Sequence, residues 1–139
     1  MVHTARIHVQ TAGHADVHDI NARVAECVAQ SGVRDGTATV FVIGSTAAIT
    51  TTEAEPGLLT HDLKAFYERI APEGGYYKHE ATWGDDNGHS HGRASALGPS
   101  ITGPIVDGRL TLGTWQQIIL IDFDTRGRQR DVVVQAMGE

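Results

Sequence analysis

Chemically capable side chains crowd the segment from His79 to Arg93, which holds three histidines, three carboxylates, an asparagine and an arginine between glycines. In an extended segment, His89 and His91 would project their imidazoles to the same side. Zinc and similar ions bind imidazole nitrogen and carboxylate oxygen. Three nearby carboxylates would complete such a set: Glu80, Asp85 and Asp86. Aspartate, asparagine and glycine are equally typical of a sharp turn with surface histidines, so both interpretations stay open.

A second polar cluster extends from Gly44 to Gly57 and is rich in hydroxyl groups. Hydroxyls such as that of Thr46 donate hydrogen bonds to phosphate oxygens, and Glu53 has the chemistry of a cation ligand or a general base. The alternative is a plain strand, because threonine favours the pleated backbone.

Two further groups lie near the carboxyl end of the chain. Trp115 and Gln116 combine an aromatic face with an amide, which suits stacking on a heteroaromatic ring, although a tryptophan is more often a core or interface residue. Arg126, Arg128 and Arg130 alternate along one stretch and have the charge to bind phosphate or carboxylate, unless they form only a solvated face.

Several elements must position these groups. Alternation predicts a strand over Val2 to Thr11, and a helix follows from an N-cap at Asp16 to a stop at Gly32. The apolar run from Thr37 to Ile43 predicts a central strand buried on both faces. A further strand follows Gly44. Leu59 to Ile70 has helical spacing, and Pro72 ends that helix.

The last third of the chain has the pattern of strands. Asp107-Gly108 predicts a two-residue hairpin between Gly103 to Val106 and Arg109 to Leu112. Thr114 to Phe123 and Asp131 to Met137 are the remaining strands, and a long loop precedes this part. The prediction is an α+β fold, a single domain over residues 1–139, with a mixed, mainly antiparallel sheet and two main helices covering one face.

Composition excludes some classes of function. The 139 residues carry a formal net charge of -6, which argues against a nucleic-acid partner because phosphate contacts need a basic surface. No apolar run approaches the length of a membrane span, and the amino terminus lacks the pattern of a secretory signal. The sequence therefore predicts a cytoplasmic protein with no membrane partner.

Five motifs together carry a family resemblance. GSTAAITTTEAEPG, YYKH, DDNGHSHGRASALGPS, DGRLTLGTWQ and DFDTRGRQR, in that order and spacing, resemble the YjbQ family, small proteins described as secondary thiamine-phosphate synthases. The resemblance covers nearly the whole chain. It implies an α+β homotrimer with a polar pocket near subunit boundaries.

The resemblance also implies a set of site residues. Catalytic roles fall on His79, His91, Glu53 and Asn87. Binding roles for a phosphorylated small molecule fall on Thr46, Ser100, Trp115, Gln116, Arg128 and Arg130. A divalent metal, magnesium or zinc, would use His79, His91 and Asp86, whereas His89 is less securely part of the pattern.

The implied reaction joins an aminopyrimidine diphosphate to a thiazole phosphate and releases pyrophosphate. Such a leaving group calls for a cation and basic donors, and the pyrimidine fragment for a ring to lie against. Two alternatives stay open. One is a metal-dependent hydrolase or transferase acting on a small phosphorylated metabolite, and the other is a non-catalytic trimer that binds a metabolite.

Overall fold

The computed structural model describes all residues from 1 to 139 and contains eight strands and four α-helices. In chain order, the elements are as follows: β1 Val2–Gln10, β2 Asp16–Asp19, α1 Asn21–Ser31, β3 Gly36–Val42, β4 Ala47–Thr52, α2 Leu63–Ile70, α3 Lys78–Trp83, α4 Gly88–Leu97, β5 Ser100–Val106, β6 Arg109–Leu110, β7 Gln117–Asp122 and β8 Gln129–Gly138. A five-residue π-helical turn, Leu58–Asp62, leads directly into α2. The α+β class is therefore confirmed.

The strands form two sheets, and within each sheet all neighbouring strands are antiparallel. The larger sheet has the order β1-β8-β3-β5-β6, and the smaller has the order β2-β7-β4. The turn between β5 and β6 is the expected hairpin, since Val106 pairs with Arg109. Asp107 and Gly108 both have positive φ, which is the conformation of a type I′ turn.

The smaller sheet is covered on both faces, and its central strand β7 shows this most clearly. Ile118 and Leu120 belong to the core shared with the larger sheet and α1. Ile119 and Ile121 belong to a second core, in which α2 contributes Tyr67. The molecule therefore has three layers, namely the larger sheet, the smaller sheet and the helices α2 and α4. The two helices predicted from sequence, α1 and α2, contribute to different cores.

Three local expectations were wrong. Asp16 is not an N-cap, because residues 16–19 form β2 and the helix starts at Asn21. β3 lies inside the larger sheet as expected, but its residues alternate between buried and exposed, so only one of its faces is covered. The expected loop before β5 contains two helices, α3 and α4, which determine where the histidines point.

No helix in the chain combines the length and the apolar character that crossing a membrane would need.

Candidate functional site

A buried ion pair fixes the turn between β7 and β8. The Arg130 guanidinium donates from Nε to Oδ2 of Asp122 at 2.7 Å and from Nη2 to Oδ1 at 2.9 Å. The Asp122 side chain is fully buried and that of Arg130 is 8% exposed. Arg130 Nη2 also donates to Thr46 Oγ1 at 2.6 Å. The remaining nitrogen, Nη1, lies so close to Gly44 that a Cβ there would be 2.5 Å away. Arg130 therefore has a structural role here, and its expected contact with phosphate stays a prediction.

Asp124, two residues further along, gathers the polar residues of three other segments. Its Oδ2 accepts from Thr46 Oγ1 at 3.0 Å and from Arg128 Nε at 3.1 Å, and its Oδ1 accepts from Asn87 Nδ2 at 3.3 Å. Burial alone would raise the pKa of this carboxyl group. The hydrogen bonds from the Thr125 N–H, Asn87 and Thr46, with the charge of Arg128, instead hold the pKa below its usual value.

Arg128 is the member of this network that reaches the surface, whereas Asn87 is enclosed. The Arg128 side chain is 38% exposed, so the cation reaches the surface beside Asp124. Asn87 Oδ1 is buried and accepts no hydrogen bond. Buried polar atoms without partners are rare in folded proteins, and because this acceptor is enclosed it does not itself form part of the exposed binding surface.

Helix α4 links this network to the histidines. Asn87 precedes the helix, and His91 lies four residues later, which places both on one helical face. Ser90 anchors the helix to the smaller sheet by donating to the Phe123 carbonyl at 2.5 Å. On the neighbouring helix α3, His79 contacts His91, with ring centroids 4.7 Å apart and ring planes tilted by 48°. The two histidines expected to act together are therefore brought together.

Glu80 orients the imidazole of His79. Its Oε1 lies 3.0 Å from His79 Nδ1 and accepts from the Gly88 N–H at 2.7 Å. Because a carboxylate only accepts, Nδ1 must be the donor in this contact, and Nε2 is the ring nitrogen that Glu80 leaves available to a ligand. Glycine is required at position 88, where a Cβ would lie 2.6 Å from both the Glu80 carboxylate and Tyr77.

His89 faces the other way. In a helix, residues two apart lie on nearly opposite faces, so the extended geometry expected for His89 and His91 was wrong. His89 is 1% exposed, its Nδ1 has no partner, and its Nε2 is 4.0 Å from Glu73. Burial, followed by the charge of Arg93, lowers the pKa of this imidazole.

A second group of expected site residues lies elsewhere in the same chain. Glu53 follows β4, and Trp115 and Gln116 precede β7, whereas Thr46 and Asp122 lie at the opposite ends of these paired strands. A strand of six residues spans roughly 17–20 Å, so the structure does not bring the two groups together within one chain. Ser100 begins β5 opposite Phe41, is exposed, and belongs to neither group.

The Trp115 end has its own chemical character. An open groove of about 480 Å³ is lined there by Asp19, Glu53 and Glu55 together with Trp115, whose side chain is 74% exposed. The Gln116 side chain is fixed by two hydrogen bonds, since its Oε1 accepts from the Gly113 N–H and its Nε2 donates to Thr51 Oγ1. The groove thus combines acidic groups with an aromatic face, whereas the other end of the strands carries the partly exposed Arg128, paired with Asp124.

The expected metal ligands do not assemble into a complete site in one chain. No group of three or more histidine, cysteine or acidic side chains is placed to hold an ion. Asp86 instead accepts a hydrogen bond from Thr125 Oγ1 at 2.8 Å, and that bond is the main reason why its pKa is lowered. His79 and His91 would need further ligands from a substrate or another subunit.

Layered antiparallel sheets, helices on one outer face, and a histidine pair beside a carboxylate–arginine turn define a small α+β protein with a polar surface site. A family model described as "UPF0047 protein YjbQ-like" matches residues 5–139, and the chain belongs to this family. A UPF0047 protein of Archaeoglobus fulgidus is 38% identical over 129 residues, covering 93% of this chain and 97% of the relative.

Solved structures of similar proteins share the complete fold. A YbjQ-like protein of unknown function from Sulfolobus solfataricus P2 has a TM-score of 0.95 and 34% identity, covering 100% of this chain and 99% of its own. A hypothetical protein from Aeropyrum pernix K1 has a TM-score of 0.91 and 35% identity, with 99% of both chains covered.

Proposed function

We propose that this protein is a small-molecule transferase of the thiamine-phosphate synthase type, acting on phosphorylated substrates. The observation that carries the proposal is the contact between His79 and His91 beside Asn87 and Arg128. Two imidazoles are in contact there, and Asn87 is linked through Asp124 to the exposed Arg128 guanidinium. This is the chemistry that a phosphate-bearing ligand needs.

The residues match the demands of the reaction. A C–N bond forms between the thiazole nitrogen and the pyrimidine methylene carbon, while the bond from that carbon to the diphosphate oxygen breaks. Pyrophosphate leaves with the bonding electron pair, so cationic donors lower the barrier by stabilising the developing charge. Arg128 supplies a fixed cation, and His91 supplies a donor when protonated. A divalent cation would supply further charge stabilisation for the pyrophosphate, and His79 and His91 would hold it only with ligands from the substrate or another subunit, because one chain does not complete a metal site.

The pyrimidine ring of the diphosphate substrate requires a different surface from its phosphates. It is aromatic and carries a basic ring nitrogen and an amino donor, which suit the Trp115 face and the acidic groups Glu53 and Glu55. In one chain, this groove lies about one strand length, roughly 17–20 Å, from the end of the strands that carries Thr46 and Asp122. We therefore place the complete site between two subunits of a homotrimer, with the histidine end of one subunit facing the Trp115 groove of the next.

Turnover by the wild-type protein tests the reaction itself. Purified protein incubated with both substrates should release thiamine phosphate and pyrophosphate, and His91→Ala should abolish release. A wild-type protein that shows no turnover at high protein concentration rejects the synthase proposal. Saturable substrate binding without turnover would support a metabolite-binding protein instead.

Mixing two inactive variants tests whether the site is shared. If His91→Ala and Trp115→Ala are refolded together in equal amounts, about a quarter of the sites between neighbouring subunits would combine two intact halves. We expect activity to recover to about that fraction. A mixture of His79→Ala with His91→Ala is the matched control, since both residues belong to the same half and no intact site can form. Absence of recovery in the first mixture would place the whole site in one chain.

A further inference from the structure

A second cavity lies between α1 and the segment that joins β6 to β7. It has a volume of about 430 Å³, within the usual range of small-molecule pockets. Apolar side chains of Val28, Leu110 and Leu112 line much of it. None of its lining residues belongs to the His79–His91 cluster. It adjoins the Trp115 groove only through Thr114 and Gln117, which line both.

The cavity carries a single charge. Arg109 is the only charged residue among the twelve that line it, although the chain as a whole has a formal net charge of -6. Its guanidinium forms no hydrogen bond and no ion pair within the chain, whereas Arg34 nearby is paired with Asp107 at 3.1 Å. Arg109 therefore has its full donor capacity available, and no acidic lining residue would repel an anion.

A second polar group faces the same space with a fixed orientation. Asn21 Oδ1 accepts from the Ile118 N–H at 3.1 Å, so the Asn21 amide nitrogen is the free end of this lining side chain. The two polar groups described here, the Arg109 guanidinium and the Asn21 amide nitrogen, are both hydrogen-bond donors. Donors and an apolar wall together suit a molecule with an acidic group on an apolar body.

We infer that this cavity binds a small organic anion with an apolar body, whose carboxylate or phosphate pairs with Arg109 and whose body contacts Val28, Leu110 and Leu112. The inference does not rest on the proposed function, because Arg109 and the apolar wall belong neither to the His79–His91 cluster nor to the Trp115 groove, with which the cavity shares only Thr114 and Gln117. It adds a ligand site that could be occupied whether or not the protein is a synthase.

A titration followed by methyl NMR tests the inference. The probes are phenylacetate, phenylphosphate and the neutral phenylacetamide, and the reporters are the methyl groups of Val28, Leu110 and Leu112. We expect at least one anion to shift these resonances saturably with a Kd of about 1 mM or tighter. The tighter of the two anions identifies the acidic group, and phenylacetamide should bind about tenfold more weakly.

Variants of Arg109 and of Ala29 test separately whether the charge and the open space of the cavity are needed for binding. Arg109→Gln should weaken binding of the anion about tenfold, while Arg34→Gln leaves it unchanged because Arg34 is outside the cavity. Ala29→Leu should abolish binding by filling the space, and Ala29→Ser, which leaves the space open, should retain it. The inference is overturned if neither anion shifts the three methyl groups, if Arg109→Gln binds as wild type, or if binding survives in a folded Ala29→Leu protein.

Discussion

Arg130→Met should lower the free energy of unfolding by about 3–5 kcal/mol, because it leaves Asp122 as a buried carboxylate without its cation. Methionine retains much of the length and apolar contact of the arginine stem. The substitution therefore removes charge and hydrogen bonds with little loss of packing. Its effect reports on the ion pair that supports the turn carrying Asp124 and Arg128.

The contacts of Asp122 set this magnitude. The carboxylate accepts from Thr11 Oγ1 at 2.5 Å, from the Asp124 N–H at 3.0 Å, and twice from Arg130. Arg130→Met removes both charge-assisted bonds and also the bond to Thr46. Each bond to a charged group contributes about 1.5–3 kcal/mol, and the buried charge loses its compensation at the same time.

The assay is urea unfolding followed by circular dichroism at one fixed protomer concentration, since the stability of an assembly depends on concentration. The melting temperature should fall by about 10–20 °C. Arg34→Met is the matched control, because the Arg34 and Asp107 side chains are 67% and 83% exposed and their pair contributes only about 0–1 kcal/mol. A loss below about 1 kcal/mol for Arg130→Met would refute the reasoning.

Two further predictions concern histidines on the α3–α4 segment. The pKa of His89 is lower in the folded protein than in the unfolded chain, so as the pH falls the unfolded chain takes up a proton at a higher pH. The free energy of unfolding should therefore decrease as the pH drops below the usual histidine value of 6.5. In urea unfolding across that range, His89→Phe should lose this part of the pH dependence, whereas His61→Gln, at an exposed site, should keep it. Glu80→Ala should allow the neutral His79 ring to carry its proton on either nitrogen, and the ¹⁵N chemical shifts of the ring should change accordingly. Glu80→Gln, which still offers an acceptor oxygen, should retain the wild-type shifts, and identical spectra for all three proteins would contradict the orienting role.

The strands were predictable where the sequence carries a strong local pattern. The apolar run Ile118 to Ile121 belongs to a strand covered on both faces, and such strands read as continuous apolar runs. Asp107-Gly108 has the chemistry of one specific turn type. Both features depend on neighbouring residues alone, so the sequence suffices to predict them.

Helix α4 was not predictable because its stability comes from distant partners. It starts at Gly88 and contains Gly92 in its interior, where glycine disfavours a helix by about 1 kcal/mol. Tertiary contacts compensate, since Ser90 bonds to Phe123 and Arg93 donates to the Ala71 carbonyl at 2.9 Å. Once this segment is helical, His91 turns toward His79 and His89 turns into the core.

The candidate site was predictable in its members more than in its arrangement. The pairing of His79 with His91 emerged as expected, whereas Glu53 and Trp115 lie at the far end of the paired strands. The sequence alone does not show that Glu53 and Trp115 lie at one end of the β4–β7 pair and Thr46 at the other, because this depends on how the two strands pair. Glu80 was considered only as a metal ligand, and its contact with Gly88 depends on a helix that the sequence did not predict.

The position of β8 has a consequence for how the chain folds. This strand follows every other described element in the chain, yet it lies between β1 and β3 in the larger sheet, where Val2 pairs with Met137. During synthesis, β1 and β3 must therefore wait with unpaired edges until β8 emerges. Such long-range pairing slows folding and exposes aggregation-prone edges. We expect the protein to reach its native structure only after translation has passed β8, as one late cooperative step.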